Sequence, residues 1–174
     1  INESMRTFSS NAAGDVRFGL AAVKGVGAAA VESIIAERTK NGRFKDIYDF
    51  IERVDYSLVN RKCLENIAYA GGCDSISGFS RCKFFGVDQR DNNGVTYIEQ
   101  LMRYGQRYQS EKNNAQQSLF GGDTGTTDIT PPVIPACAEW SQLEKLNKER
   151  EVIGLYLSAH PLDDYKVIIR NMCK

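Results

Sequence analysis

Net charge, histidine and long apolar runs are all scarce in this chain. Its 174 residues hold 22 Lys and Arg against 22 Asp and Glu, a formal net charge of zero. No overall field draws in a polyanion, so any such partner has to be held by a local patch. A single histidine, His160, accompanies five scattered cysteines (63, 73, 82, 137 and 173), none of them in a C-x-x-C pair. That is too few partners for a zinc site, and the odd, dispersed cysteines fit reduced thiols in a cytoplasmic protein. No run of about 18 apolar residues and no signal peptide occurs, so no membrane partner is expected. There is no G-x-x-x-x-G-K-[ST] phosphate loop, no Asp-x-Asp pair for two metals, and no clustered Ser, Cys and His set. The chain therefore offers binding chemistry, with no catalytic, metal-binding or cofactor-binding residue expected in it. It begins with Ile and reads as a piece of something longer.

What is present centres on residues 18–35. Two apolar helical segments flank Lys24-Gly25-Val26-Gly27-Ala28. The two glycines let the chain reverse without a Cβ clash. They also leave backbone N–H groups bare where the second helix begins. Those groups, with the helix dipole behind them, suit a phosphate. Lys24 adds a positive charge at the same place. The pattern is that of a helix-hairpin-helix, and Lys24, Gly25, Val26, Gly27 and Ala28 are its expected DNA-binding residues. Val26 either packs inward or touches a sugar. Residues 15–45 carry six Lys or Arg (17, 24, 38, 40, 43, 45) against three acids (15, 32, 37), the right sign for such a role. Two other readings stand beside it. One is a plain corner between two core helices. The other is a dinucleotide fold, since residues 25–30 fit G-x-G-x-x-A and Asp46 or Asp49 lies downstream; that reading requires a βαβ context.

Helical spacing organises most of the remainder. A short strand pair is expected around residues 11–14, then helices over 20–24, 28–39, 46–54 and 58–70, with Asn41-Gly42 and Gly71-Gly72 as stops. These four make a compact unit ending near Ser75. Residues 86–95 read as a solvent loop. Thr96 and Glu99 form a capping box that opens a further helix, whose stripe of Tyr97, Leu101, Tyr104 and Tyr108 is expected to pack on the core. A Pro/Thr/Gly-rich linker over 121–136 follows. Ser141 and Glu144 then open a last helix through Leu143, Leu146, Arg150 and Ile153 to about residue 157, and His160 before Pro161 reads as a structural cap. The fold class is mainly α, divided into a helix-hairpin-helix unit (1–80), a loop and long helix (81–120), a flexible linker (121–140) and a C-terminal helix (141–174).

Between the long helix and the linker stands Gln116-Gln117-Ser118-Leu119-Phe120. An adjacent Leu-Phe pair in so polar a neighbourhood either folds back on the helices or serves as a short linear motif. In the second case Leu119 and Phe120 anchor in a partner's apolar pocket, with Gln116 and Ser118 at its edge.

These pieces together resemble one family. Residues 16–27, 44–50 and 59–65 are similar to the helix-hairpin-helix segment of the bacterial replicative DNA polymerase III α subunit, and residues 151–162 to the segment just before its OB domain. The order and spacing match over nearly the whole chain. The resemblance implies a fragment running from the end of the fingers region through the clamp-binding region to just before the OB domain. Gln116, Ser118, Leu119 and Phe120 fall where that family carries its sliding-clamp motif. Duplex DNA, the sliding clamp and, through regions outside this chain, other replicase subunits are the implied partners. The implied parent activity is DNA-directed DNA synthesis with Mg²⁺, the catalytic aspartates lying upstream. A helix-hairpin-helix domain of a DNA repair protein is the alternative.

Overall fold

The computed structural model describes residues 1–10, 14–87, 94–117 and 129–163. They are mainly helical: α1 (Ala28–Asn41), α2 (Ile47–Arg53), α3 (Arg61–Tyr69), α4 (Asp74–Ser77), α5 (Tyr97–Gln117) and α6 (Gln142–Ile153). The described residues contain one sheet, an antiparallel pair of two-residue strands, β1 (Ser9–Ser10) and β2 (Val16–Arg17). With no parallel sheet among them, a dinucleotide fold is excluded. The carboxylates it would have needed have other work. Asp46 caps α2 by accepting the Asp49 N–H at 2.8 Å, and Asp49 pairs with Arg53 at 2.8 Å.

Helix ends follow the local chemistry. Gly42, at φ +85°, closes α1. Asn60 caps α3 by accepting the Cys63 N–H at 2.9 Å. This helix starts three residues later than the sequence spacing suggests, because Asp55 builds its own turn. Its carboxylate accepts from the Ser57 N–H and hydroxyl, and its carbonyl accepts the Val59 N–H at 2.8 Å. Residues 20–24 are not an α-helix either. Leu20–Ala22 form a single 3₁₀ turn, too few residues to sustain an i→i−4 ladder. The last helix stops at Ile153, where Gly154 takes a left-handed φ of +91°.

One apolar core runs through the molecule. The α2 face of Ile47, Phe50 and Ile51, with Val54 just beyond it, is buried as its spacing requires, as are Val59, Leu64, Ile67 and Ala68. The core does not stop near Ser75. It continues through Phe84 into α5, where Tyr97, Ile98, Leu101 and Tyr104 are buried. The tyrosine stripe is thus core, its hydroxyls satisfied at the margin: Tyr97 meets Tyr48 at 3.0 Å and Tyr104 donates to Glu52. Helix α5 lies against α2 so closely that a Cβ on Gly105 would fall 2.6 Å from the Ile51 carbonyl oxygen.

Residues 129–141, with no helix or strand of their own, pass over this unit. Pro135 is packed against Gly86, and the Tyr97 hydroxyl reaches the Pro132 carbonyl at 3.5 Å. Helix α6 then docks on α3. It opens with the expected capping box between Ser141 and Glu144. Its buried face is Leu146, Glu149 and Val152, while Leu143 is 56% exposed and Arg150 faces solvent. Glu149 is 1% exposed and faces Arg81, itself 8% exposed, at 3.3 Å. Asp74 takes the other side of that guanidinium at 2.7 Å.

Candidate nucleic-acid interface

The turn between the 3₁₀ segment and α1 is held from three sides. Below it, Leu20, Val23 and Val26 are buried. From the N-terminal segment, Met5 and Arg6 carbonyls accept the Leu20 and Ala21 N–H groups at 2.9 and 3.1 Å. Above it, both peptide groups of Lys24 are fixed: its N–H donates to the Val152 carbonyl at 2.8 Å, and its carbonyl accepts from the Asn66 side chain at 2.5 Å. The Lys24 side chain remains exposed.

Gly25 and Gly27, alike in sequence, have different duties. Gly25 sits at φ +71°, and a Cβ there would meet the Asn66 amide nitrogen at 2.7 Å. It is the residue that needs to be glycine. Gly27 has φ −68° and ψ 148°, a backbone any residue adopts, with nothing within 4 Å of an added Cβ. It leaves open space in front of the helix. Val31 makes the first α1 bond back to the Gly27 carbonyl, so the N–H groups of Ala28, Ala29 and Ala30 have no partner within the helix. Ala28 and Ala29 are exposed, and the first turn contains no acid. Bare N–H groups, a helix dipole and unobstructed approach are what an oxyanion requires.

Of the five residues expected at this site, Lys24, Gly25, Gly27 and Ala28 are exposed together. The Val26 side chain is buried, which leaves only its backbone near the surface. The wider basic run is dispersed. Arg17 and Arg43 both pair with Glu3, and Arg38 donates to the Ile1 carbonyl. Two residues of α3 escaped sequence reasoning. Asn66, 4% exposed, pins the turn. Lys62, with its side chain 69% exposed, puts its Cγ 3.7 Å from the place of a Gly25 Cβ, adding a second cation beside Lys24. Nothing local marked Asn66, whose partner, the Lys24 carbonyl, is distant in sequence. Nothing local marked Lys62 either.

Of the clamp residues, Gln116 belongs to the last turn of α5. Ser118, Leu119 and Phe120 lie outside the described residues, as does most of the loop at 86–95. Among the described residues no group of three or more His, Cys, Asp or Glu is placed to hold a metal ion. No helix there is long and apolar enough to cross a membrane. His160 is engaged locally, its ring nitrogen accepting the Leu162 N–H at 3.2 Å.

Residues 1–84, which contain this turn, match the helix-hairpin-helix motif family. Over nearly its full length the chain is similar to bacterial DNA polymerase III α subunits, which bears out the resemblance seen in its sequence. It is 31% identical over 172 residues to the protein from Xylella fastidiosa, covering 99% of this chain and 14% of the relative. It is 35% identical over 168 residues to that from Campylobacter jejuni (95% and 13%) and 37% over 163 residues to that from Mycobacterium leprae (94% and 13%). The chain thus spans about one seventh of the length of the curated relatives it matches.

Proposed function

We propose that this chain is the DNA-backbone-binding and clamp-binding part of a cytoplasmic replicative DNA polymerase catalytic subunit. The observation that carries the reading is the exposed turn Lys24–Ala28, with its free N–H groups and two flanking lysines, inside a segment that matches the helix-hairpin-helix family. Backbone donors meet phosphates and no base edge, so binding is sequence-blind and salt-sensitive. Gln116, Ser118, Leu119 and Phe120 provide the tether to the ring-shaped clamp. Two desolvated apolar side chains dominate that contact, and Gln116 orients it. Simultaneous contact with duplex DNA and clamp raises the effective concentration of each for the other. Polymerisation with Mg²⁺, and contacts with other replicase subunits, belong to the parent protein; no residue of this chain is assigned to catalysis.

Titration of the chain with unrelated duplexes over a range of salt tests the first half. Similar affinities for all duplexes are expected, with Lys24→Glu lowering both affinity and the salt slope, the slope by about 1. A Lys24→Glu variant that binds as the parent does reduces the turn to a corner. Clamp binding is compared between the chain and a Leu119→Ala, Phe120→Ala double variant. Equal binding by both, or none by either, removes the tether. A repair-protein module would bind DNA and ignore the clamp.

A further inference from the structure

We infer that Cys82 and Cys137 form a reversible disulfide that fastens the segment 129–137 onto the helical unit. Cys82 lies in the 3₁₀ segment Arg81–Phe85 and is buried; Cys137 is half-buried, 55 residues further on, where the chain approaches α6. Their sulfurs are 2.7 Å apart, the Cys137 thiol facing its partner directly. No other pair of described cysteines makes such a contact; Cys63 and Cys73 are buried in the core. Chain separation makes the juxtaposition a product of tertiary packing, since Pro135 seated on Gly86 brings residue 137 to residue 82.

The surroundings suit exchange with a low-molecular-weight disulfide. A cleft of about 350 Å³, lined by Cys82, Glu139 and Lys145 among others, opens beside Cys82. The Glu139 carboxylate accepts from the Cys82 thiol at 3.5 Å and from the Ser80 hydroxyl at 2.6 Å. Burial, with the hydrogen bond to Cys82, pushes the Cys137 thiol up to about 12. Selectivity therefore comes from proximity rather than acidity, and exchange is slow. Cys137 loses its proton to solvent, and its sulfur attacks the oxidant's S–S bond. One thiolate leaves and is protonated. Cys82 loses its proton through Glu139 to solvent and attacks the Cys137 sulfur, expelling the second thiolate, which is protonated in turn. Two protein thiols are oxidised and one small disulfide is reduced to two thiols. The product closes a 55-residue loop that contains α5 and residues 116–120.

The full chain is incubated under native conditions with oxidised glutathione, alkylated, and mapped by mass spectrometry without reduction. A single linkage between Cys82 and Cys137 is expected, absent in Cys137→Ser and reversed by dithiothreitol. Closing a loop of this length should raise the thermal midpoint by about 10 °C. A glutathione adduct that persists on either cysteine, a linkage through any other cysteine, or unchanged free thiols overturns the proposal.

Discussion

Gly25 and Gly27 show what one residue contributes and what a sequence conceals. The motif Gly-Val-Gly presents them as equals, and the turn itself was legible from that motif. Only the backbone separates them, at φ +71° and −68°. Gly25→Ala forces a left-handed alanine and drives its Cβ into Asn66, so it should cost about 2 kcal/mol in urea unfolding. Gly27→Ala should unfold within about 0.5 kcal/mol of the parent. Gly27→Val should keep the fold, because its conformation is open to any residue, yet weaken duplex binding by covering the N–H groups of the first α1 turn. If Gly27→Val unfolds the chain while Gly25→Ala does not, the assignment of duties is reversed. Asn66 was illegible for a different reason: its partner, the Lys24 carbonyl, is 42 residues away. No local pattern encodes a contact set by the packing of α3 against the hairpin.

Elements were read well where periodicity and caps agreed, and poorly where a short apolar string imitated a helix. The α2 stripe of Ile47, Phe50, Ile51 and Val54, the Asn41-Gly42 stop and the Ser141–Glu144 box were all visible, because each rests on contacts within a few residues. Residues 20–24 looked helical from their apolar content, yet tertiary bonds from Leu20 and Ala21 to Met5 and Arg6 hold them in a single tight turn. The closeness of α5 to α2 was also hidden, since a mid-helix glycine normally signals weakness. Here Gly105 permits the approach. An alanine there gains about 1 kcal/mol of helix propensity, but its Cβ would stand 2.0 Å from the Tyr56 hydroxyl and 2.6 Å from the Ile51 carbonyl. The backbone oxygen cannot move aside as a flexible side chain would. Overpacking therefore wins, and Gly105→Ala should destabilise by roughly 1–3 kcal/mol. Chemical denaturation checks this, and a stabilised variant would show that α2 and α5 slide apart freely.

At the scale of the molecule, a charge holds the C-terminal helix in place. Sequence spacing ran the last helix through Leu143, Leu146, Arg150 and Ile153 and gave no sign that Glu149 is buried. The actual face turns Glu149 inward, where it meets Arg81 and accepts the Leu157 and Ser158 N–H groups at 2.8 and 2.9 Å. One carboxylate thus ties α6 to the 3₁₀ segment and shapes the turn after Gly154. Burial pushes this carboxyl up, but the Ser158 hydroxyl, the two N–H groups and Arg81 more than offset that and hold it below the ordinary carboxylate value of 4.5. The native state therefore prefers the ionised form. The resulting stability is complete above the unfolded pKa and is lost as pH falls through the lower native one. Glu149→Gln removes that dependence and leaves an amide facing donors. It should lower stability near neutral pH by about 2–3 kcal/mol and flatten the decline below pH 4.5. The Lys24 N–H donates to Val152 of the same helix, so loosening α6 also frees one side of the phosphate-binding turn, and duplex affinity should fall with it. Urea titrations between neutral pH and about pH 3, run on both proteins, check the linkage. A Glu149→Gln chain with the parent's acid profile would place the pH-sensitive contact elsewhere.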